Sequence, residues 1–334
     1  RPHFQTYNRN KRSLTLDTRQ AAALKTLDTL TSGADVFIQN FRPGVAEDLN
    51  VGAERLQKLN PRLIYCGISG FGHDGPDRER PAYDTVAQAA SGWLRLLINP
   101  ENPRVVGPAI ADAVTGMYAA FGILGALHER TKTGRGRRVE VSMLEAMCHF
   151  NLDAFTHFFS EDEIMGPYSR PRVSQSYVFE CSDKKWIALH MSSPQKFWDG
   201  LALAAGLPRL FEDPRFADRR KRIENQEALI RILGDIFIKH DRTHWCAVLE
   251  KSDVPYSPVY DSSEALEDPQ AQYLGLTVKA SHSPMGEFRT VRSPISYDGQ
   301  RMREVVAPPM LDEHRREILK SLNRHSNKAV RLPD

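Results

Sequence analysis

The residue best placed for chemistry is Asp112, which stands just before an apolar helix predicted over residues 114–128. An aspartate in this position has two interpretations. Its side chain can cap the helix, since Asp is a favoured N-cap residue. It can also be a carboxylate nucleophile that forms an acyl intermediate, and the positive end of the helix would keep it ionised. Spacing alone leaves both interpretations open.

Other patterns associated with catalysis or ligand binding are weak in this chain. The string GFGHDG at 70–75 matches the dinucleotide fingerprint GxGxxG and follows a predicted strand. A proline and four charged residues follow it, however, where a phosphate-binding helix would have to begin. We expect the eleven histidines to form neither an HxxxH nor an HExxH motif, and therefore no metal site. The nucleophile-elbow motif GxSxG is also absent.

The elements around these residues alternate between strands and helices. Apolar residues at helical spacing predict helices over 18–31 (capped by Asp17), 51–59, 84–97 and 114–128, and a capping box at 142–145 opens another to about 159. Short apolar runs predict strands over 34–38, 63–68 and 139–141. This alternation predicts an α/β layer with a largely parallel sheet.

The pattern changes near residue 170. Two β-rich runs at 177–180 and 186–189 predict an antiparallel hairpin. Helices at about 195–205, 224–239 and 243–251, a proline-rich connector at 255–261, a strand at 288–291 and a helix after 309 follow. We therefore expect a large Rossmann-like α/β domain over 1–170, a smaller inserted α+β domain over 171–255, and a connector over 256–334 that returns to the large domain.

Composition limits the class of protein. The 334 residues include 45 Lys plus Arg and 42 Asp plus Glu, a formal charge of +3, and 41% are hydrophobic. These values exclude a disordered chain and a collagen, and the charge is too small to indicate nucleic acid binding. Because no apolar run reaches about 18 residues, we expect no membrane partner. The four scattered cysteines indicate reduced thiols, typical of the cytoplasm or of a mitochondrial or peroxisomal matrix.

Several short strings, taken in order along the chain, resemble the class III CoA-transferase family, which includes formyl-CoA and carnitine CoA-transferases. The strings are NRNKRS at 8–13, ADV at 34–36, NFRPG at 40–44, NPRLIYC at 60–66, GISGFG at 67–72, YDTVAQ at 83–88, TG at 115–116, KTGRG at 132–136, VEVS at 139–142, VPYSPV at 254–259 and APPML at 307–311. Their order and spacing are specific together, and they cover nearly the whole chain.

This resemblance implies a mechanism in which the family's nucleophilic aspartate falls on Asp112. The aspartate attacks an acyl-CoA thioester and forms a mixed anhydride, CoA then forms an aspartyl thioester, and an acceptor carboxylate leaves as a new acyl-CoA. Backbone amides near the helix start would stabilise the oxyanions. CoA and acyl-CoA are then substrates, and we expect no permanently bound cofactor. The other substrate is a small carboxylic acid, plausibly a dicarboxylate.

The resemblance also assigns ligand contacts and an assembly. The CoA-binding residues fall on Leu16 and Arg19 in the first helix turn, on Asn40, Phe41 and Arg42, and on Arg80 as a further neighbour of the ligand. The acyl group is expected to face Tyr83 and Asp84. Family dimers are interlocked like the links of a chain, so we expect a homodimer.

Two alternatives stay open. The first alternative is an α-methylacyl-CoA racemase, a sister enzyme that uses a histidine where Tyr83 stands. A phenol with a pKa near 10 is a poor proton shuttle at neutral pH. His73, on a glycine-containing loop nearby in sequence, is the candidate substitute base. The family's first strand and helix have no counterpart here, since the chain starts at Arg1, so we expect that upstream chain is missing. Without that unit, the protein would be a catalytically inactive CoA binder.

Overall fold

The computed structural model describes residues 2–192, 194–282 and 286–329. The chain divides into two compact units. The first comprises the described residues within 1–94, 105–153 and 275–334, and the second comprises those within 95–104 and 154–274. The domain limits expected at 170 and 255 differ from these contact limits and stay a prediction.

The chain up to residue 150 alternates between helices and strands. In order, the elements are α1 (Pro2–Tyr7), α2 (Ala21–Ser32), β1 (Val36–Gln39), α3 (Val45–Asp48), α4 (Ala53–Leu59), β2 (Ile64–Ser69), α5 (Asp84–Ala90), a 3₁₀ helix (Trp93–Leu96), α6 (Ile110–Thr133), β3 (Arg138–Ser142) and α7 (Met143–Phe150). The first unit of the structure therefore has the strand–helix alternation that the sequence predicts.

The rest of the chain is a helical region with short strands. In order, its elements are α8 (Leu152–Glu161), α9 (Ser169–Ser174), β4 (Ser176–Glu180), β5 (Trp186–His190), α10 (Gln195–Ala204), a 3₁₀ helix (Pro208–Phe211), α11 (Arg219–Glu224), α12 (Gln226–Phe237), α13 (Arg242–Lys251), β6 (Tyr256–Val259), α14 (Ser262–Glu267), α15 (Pro269–Leu274), β7 (Thr277–His282), β8 (Gly286–Val291), β9 (Ser296–Tyr297), β10 (Gln300–Arg301) and α16 (Arg315–Ala329). The fold is thus mixed α/β.

The sheet of the first unit is parallel, as predicted. β1, β2 and β3 pair in that order, with Val36 opposite Ile64 and Cys66 opposite Val139. β2 lies in the middle and is buried along almost its whole length, which suits a strand of continuous apolar sequence. Since the carboxyl ends of parallel strands share one edge, the loops that start at Asn40 and Gly70 and the start of α7 lie along that edge.

The second unit contains a small antiparallel sheet in the order β4-β5-β6. The predicted hairpin is confirmed, with Ser176 opposite His190 and Glu180 opposite Trp186. The segment expected to be a connector at 255–261 contains β6, which pairs with β5. Pro258 is tolerated there because β6 is an edge strand and a missing N–H costs nothing on its free side.

Three predicted helices have different limits in the structure. α2 begins at Ala21, and Asp17 caps a preceding turn by accepting the backbone N–H of Arg19 at 3.2 Å. The helix expected over 84–97 ends at Ala90, shortly before Gly92 adopts a φ of +77° that helices exclude. The Ser142 cap is confirmed, since its hydroxyl accepts the Glu145 N–H, but the Glu145 carboxylate accepts from that same hydroxyl and not from the Ser142 backbone N–H as a capping box requires. The helix from there is interrupted at Asn151.

α6 is long, apolar and largely uncovered. Among the described residues it is the one helix whose length and composition would suffice to cross a membrane, a test that core helices of globular proteins also pass. Only 28% of its most apolar stretch is buried within the chain. Gly122 packs closely on Val139, whereas Gly116 and Gly125 face open space. The apolar side chains exposed on this helix are Met117, Phe121 and Leu124.

Candidate active site

Asp112 lies inside the first turn of α6 rather than ahead of the helix. α6 begins at Ile110, and the N-cap position belongs to Ala109, whose side chain offers no hydrogen bond. The interpretation of Asp112 as an N-cap is therefore wrong. Asp112 is an exposed residue at the positive end of the helix, and the atoms around its carboxyl group partly desolvate it.

Asp84, the first residue of α5, takes the capping role at the start of α6. Its Oδ1 accepts the backbone N–H of Ala111 at 2.7 Å and that of Asp112 at 3.3 Å. The structure thus brings Asp84 and Asp112 together, as expected. The N–H groups of Ile110 and Ala113 donate to carbonyls of the same chain. All four amides at this helix start are therefore occupied here, so the amides expected to stabilise oxyanions are not free.

The electrostatics of Asp112 follow from this neighbour. Burial raises the pKa of the Asp112 carboxyl above its usual value, and the negative charge of Asp84 raises it further. The helix end was expected to favour the ionised form, whereas burial and the charge of Asp84 act in the opposite direction. A carboxylate whose ionised form is less stabilised is more basic and a better nucleophile.

Gln88 is a residue of this site that sequence reasoning missed. It lies one turn after Asp84 on α5 and is 1% exposed, and its Nε2 donates to Asp84 Oδ2 at 2.5 Å. Asp84 is thereby held on both oxygens. The signal was available, because an Asp and a Gln four residues apart in the string DTVAQAA share one face of a helix.

Tyr83 and His73 lie near this site in sequence. Tyr83 occupies the N-cap position of α5, and its side chain is 82% exposed. His73 packs against the backbone of Gly67 on β2, with its Nε2 3.6 Å from a Glu140 carboxylate oxygen. Within the described residues, neither ring makes a hydrogen bond or an ion pair with Asp112. The site therefore shows no aromatic or imidazole base placed against Asp112.

Arg80 borders a cavity of about 710 Å³ beside α5. Its guanidinium lies 4.8 Å from the ring centre of Phe71 and 3.3 Å from an Asp77 carboxylate oxygen. Thr85, the neighbour of Asp84, lines the same cavity. Neither Asp84 nor Asp112 is among the described residues that line this cavity.

The other expected CoA contacts fall in two places. Asn40, Phe41 and Arg42 follow β1 at the carboxyl edge of the sheet, and all three side chains are exposed. Leu16 and Arg19 lie in the turn before α2, so their expected position in the first helix turn is wrong. Arg19 forms an ion pair with Asp17 at 2.8 Å. Within the described residues, no hydrogen bond or ion pair joins Leu16 or Arg19 to Asp112 or to the loop at 40–42.

Among the described residues of the second unit, His157, Glu161 and Glu163 form one group with metal-ligand chemistry. The His157 Nδ1 atom lies 3.7 Å and 3.3 Å from the two carboxylates, which is ion-pair geometry. His240 and His244 do have HxxxH spacing, so the expectation that the histidines lack it is wrong; their rings stack with centres 4.1 Å apart. Both groups are accounted for by contacts within the chain, and neither lies in the unit that holds Asp112.

Comparison with known proteins identifies the family of this chain. The description "CoA-transferase family III" matches residues 1–315. Human succinyl-CoA:glutarate CoA-transferase is 28% identical over 332 residues, covering 98% of this chain and 75% of the relative. Acetyl-CoA:oxalate CoA-transferase of Acetobacter aceti is 32% identical over 316 residues, covering 93% and 79%.

A solved structure of similar fold supports the same assignment. The CAIB/BAIF family protein from Brucella suis is 29% identical, with a TM-score of 0.85 over 96% of this chain and 84% of that chain. The agreement thus extends from short motifs to the whole backbone. The chain belongs to CoA-transferase family III and is an enzyme of that family.

Proposed function

We propose that this enzyme moves CoA from an acyl-CoA donor to a small carboxylic acid, with Asp112 as the nucleophile. One observation carries the proposal. An exposed carboxylate with a raised pKa stands on the first turn of α6, beside a second carboxylate, Asp84, that three hydrogen bonds hold in place. A pair of carboxylates in which one is fixed and the other is exposed is suited to nucleophilic attack on a carbonyl carbon.

The reaction would proceed through two kinds of covalent intermediate. An Asp112 oxygen attacks the thioester carbonyl, the C–S bond breaks, and CoA leaves as a thiolate from a mixed anhydride. The thiolate attacks the Asp112 carboxyl carbon and releases the donor acid, which leaves an aspartyl-CoA thioester. The acceptor carboxylate attacks this thioester, the C–S bond breaks, and a second anhydride forms between Asp112 and the acceptor. The released CoA thiolate then attacks the acceptor's carbonyl carbon and leaves with it as the new acyl-CoA. Asp112 is then free again.

We propose a dicarboxylic acid as the acceptor. The human relative is named for succinyl-CoA and glutarate, and the Acetobacter aceti relative is named for oxalate. Both named acceptors carry two carboxylates. For CoA, we propose the loop at Asn40, Phe41 and Arg42, because the carboxyl edge of a parallel sheet is where such folds bind ligands. Within the described residues, Arg42 has no ion-pair partner and can bind phosphate through its fork of donors.

We propose that the chain works as an interlocked homodimer with a Rossmann-like large domain and an inserted small domain. The exposed apolar face of α6 supports the dimer, since Met117, Phe121 and Leu124 are each more than half exposed in one chain. The open spaces at Gly116 and Gly125 would let another backbone approach closely. A second copy can bury such a face.

The test is intact-protein mass spectrometry after incubation with succinyl-CoA, followed by hydroxylamine trapping and peptide mapping. Wild type is expected to give an adduct on Asp112, and Asp112→Asn is expected to give none. Asp235→Asn is the matched control, since Asp235 is exposed on α12 in the second unit. An adduct on another residue contradicts the proposal. Absence of an adduct, with deuterium exchange at the α-carbon of a 2-methylacyl-CoA in D₂O, would show racemase chemistry instead.

A further inference from the structure

Gln39, the last residue of β1, holds the start of the loop proposed to bind CoA. It is buried, and its Oε1 accepts the backbone N–H of Phe41 at 2.7 Å. A side-chain oxygen that accepts an N–H two residues later closes a turn, in the way that an Asx turn does. The bond therefore fixes the direction in which Asn40 and Phe41 leave the sheet.

Gln39 belongs to a row of three residues across the parallel sheet. It lies opposite Gly67 on β2, and Gly67 lies opposite Glu140 on β3. Paired residues of neighbouring strands point to the same face of a sheet. Because glycine has no side chain, the row has a gap at its centre, with the side chains of Gln39 and Glu140 on either side.

The His73 ring fills this gap. A side-chain carbon at Gly67 would lie 3.0 Å from the Cε1 and Nε2 atoms of the ring and 3.2 Å from Gln39 Nε2. On the other side of the row, His73 Nε2 lies 3.6 Å from a Glu140 carboxylate oxygen. The loop at 70–75, whose sequence matches a dinucleotide fingerprint, thus packs against β2 and beside Gln39 through His73.

We infer that Gln39 is a positioning residue for CoA binding and that Gly67 leaves room for the His73 ring to pack beside Gln39; this assignment rests on the proposed function. Gln39 acts through its backbone hydrogen bond on the loop at 40–42, which we propose as the CoA site. Within the described residues, no hydrogen bond joins Gln39 to Asp112. The effect of Gln39 should therefore fall on CoA affinity and not on the chemistry at the nucleophile.

The experiment measures CoA affinity without turnover, by calorimetric titration of CoA into full-length chains that also carry Asp112→Asn. Gln39→Leu keeps the buried volume and removes the acceptor of the Phe41 N–H, so the dissociation constant should rise by about five-fold. Gln39→Glu keeps an oxygen acceptor and should stay within about two-fold of the starting chain. Gln57→Leu is the matched control and should change nothing, since the Gln57 amide also bonds the backbone within the first unit.

A second set of variants tests the gap at Gly67. Gly67→Ala places a methyl group against the His73 ring and the Gln39 amide, one of which has to move, so the dissociation constant should rise by about three-fold. In a chain that also carries His73→Ala, the same change should cost less, because one of the two close contacts is gone. The effects of the two substitutions should therefore not be additive.

In chains that retain Asp112, Gln39→Leu should raise the KM for succinyl-CoA and leave kcat and the KM for the acid unchanged. An unchanged dissociation constant for CoA, equal rises in Gln39→Leu and Gln57→Leu, or no restoration by Gln39→Glu would each overturn the inference. Additive effects of Gly67→Ala and His73→Ala would overturn the part assigned to His73. These outcomes leave the adduct on wild-type Asp112 in place, whereas loss of that adduct would refute the proposed function.

Discussion

The two contact units bury their apolar side chains in different ways. The second unit has one large core, in which the Phe237 ring lies 4.7 Å from Phe179 and 4.4 Å from Trp245, centre to centre. The first unit has two small clusters, one beside β1 and β2 and one where α5, α6 and α7 meet. It also leaves an apolar face of α6 exposed. A single chain thus buries the core of the second unit by itself. In the first unit, a few polar contacts hold Asp84 and Asp112 beside a small apolar cluster.

The largest expected effect tests this contrast directly. Phe237→Ala removes a fully buried ring and should lower the free energy of unfolding by about 3–5 kcal/mol. Phe121→Ala removes a ring that is 63% exposed in one chain, so it should change the unfolding of dilute monomer by less than about 0.5 kcal/mol.

The two variants are compared by denaturant unfolding, and light scattering over a concentration series gives the oligomeric state. Phe121→Ala should weaken the proposed dimer. Phe237→Ala should leave the dimer unchanged under conditions in which this variant remains folded. Equal losses of stability in dilute solution would show that the α6 face is packed within a single chain, and the contrast would be wrong.

Asp84 should give the next largest effect, because it caps α6 from another helix. Asp84→Ala leaves the N–H groups of Ala111 and Asp112 without their acceptor and should cost about 1–2 kcal/mol of unfolding free energy. Asp84→Asn keeps an oxygen acceptor and should cost less. Thermal unfolding of both variants measures the role of Asp84 as a cap of α6. The rate of adduct formation on Asp112 measures its role beside the nucleophile. Equal stability of Ala and wild type would mean that the cap contributes nothing.

Gln88 should have a smaller effect that falls mainly on the reaction rate. Gln88→Leu keeps the buried volume and removes the donor to Asp84 Oδ2, which should cost about 1 kcal/mol. Because Asp84 is then held on one oxygen only, kcat should fall while the KM for acyl-CoA stays unchanged. Gln226→Leu is the matched control, since Gln226 is also a buried glutamine on a helix and lies in the second unit. A rise in KM with constant kcat would show that Gln88 acts on substrate binding.

The contrast also shows which parts of the fold the sequence could predict. β2, the β4–β5 hairpin and the Ser142 cap were predictable because each depends on neighbouring residues. The start of α6 was not, since its first residues, from Ile110 onward, carry no local cap. The group that fixes that start, Asp84, lies 28 residues earlier in the chain from Asp112.

The candidate site divides in the same way. Asp112 and Asp84 were found from the resemblance, and the structure places them in contact. Gln88 was missed although its spacing from Asp84 was visible in the sequence. A glutamine in an apolar helix is more often exposed to solvent than bonded to a carboxylate inside the protein. Leu16 was placed in a helix turn that the structure does not form, since the cap expected at Asp17 binds Arg19 instead.

The smallest expected effect concerns Asp112 itself. Its pKa is raised in the folded chain by burial and by Asp84, so the folded state binds a proton more tightly than the unfolded state. The stabilisation from that proton is present below the unfolded pKa and is lost as pH rises through the folded pKa. At neutral pH the ionised carboxylate therefore opposes folding. Asp112→Asn should melt slightly above wild type at pH 7, and the difference should vanish below about pH 4. If Asp112→Asn instead melted below wild type at pH 7, with the gap closing on acidification, the helix end would be stabilising the charge of Asp112.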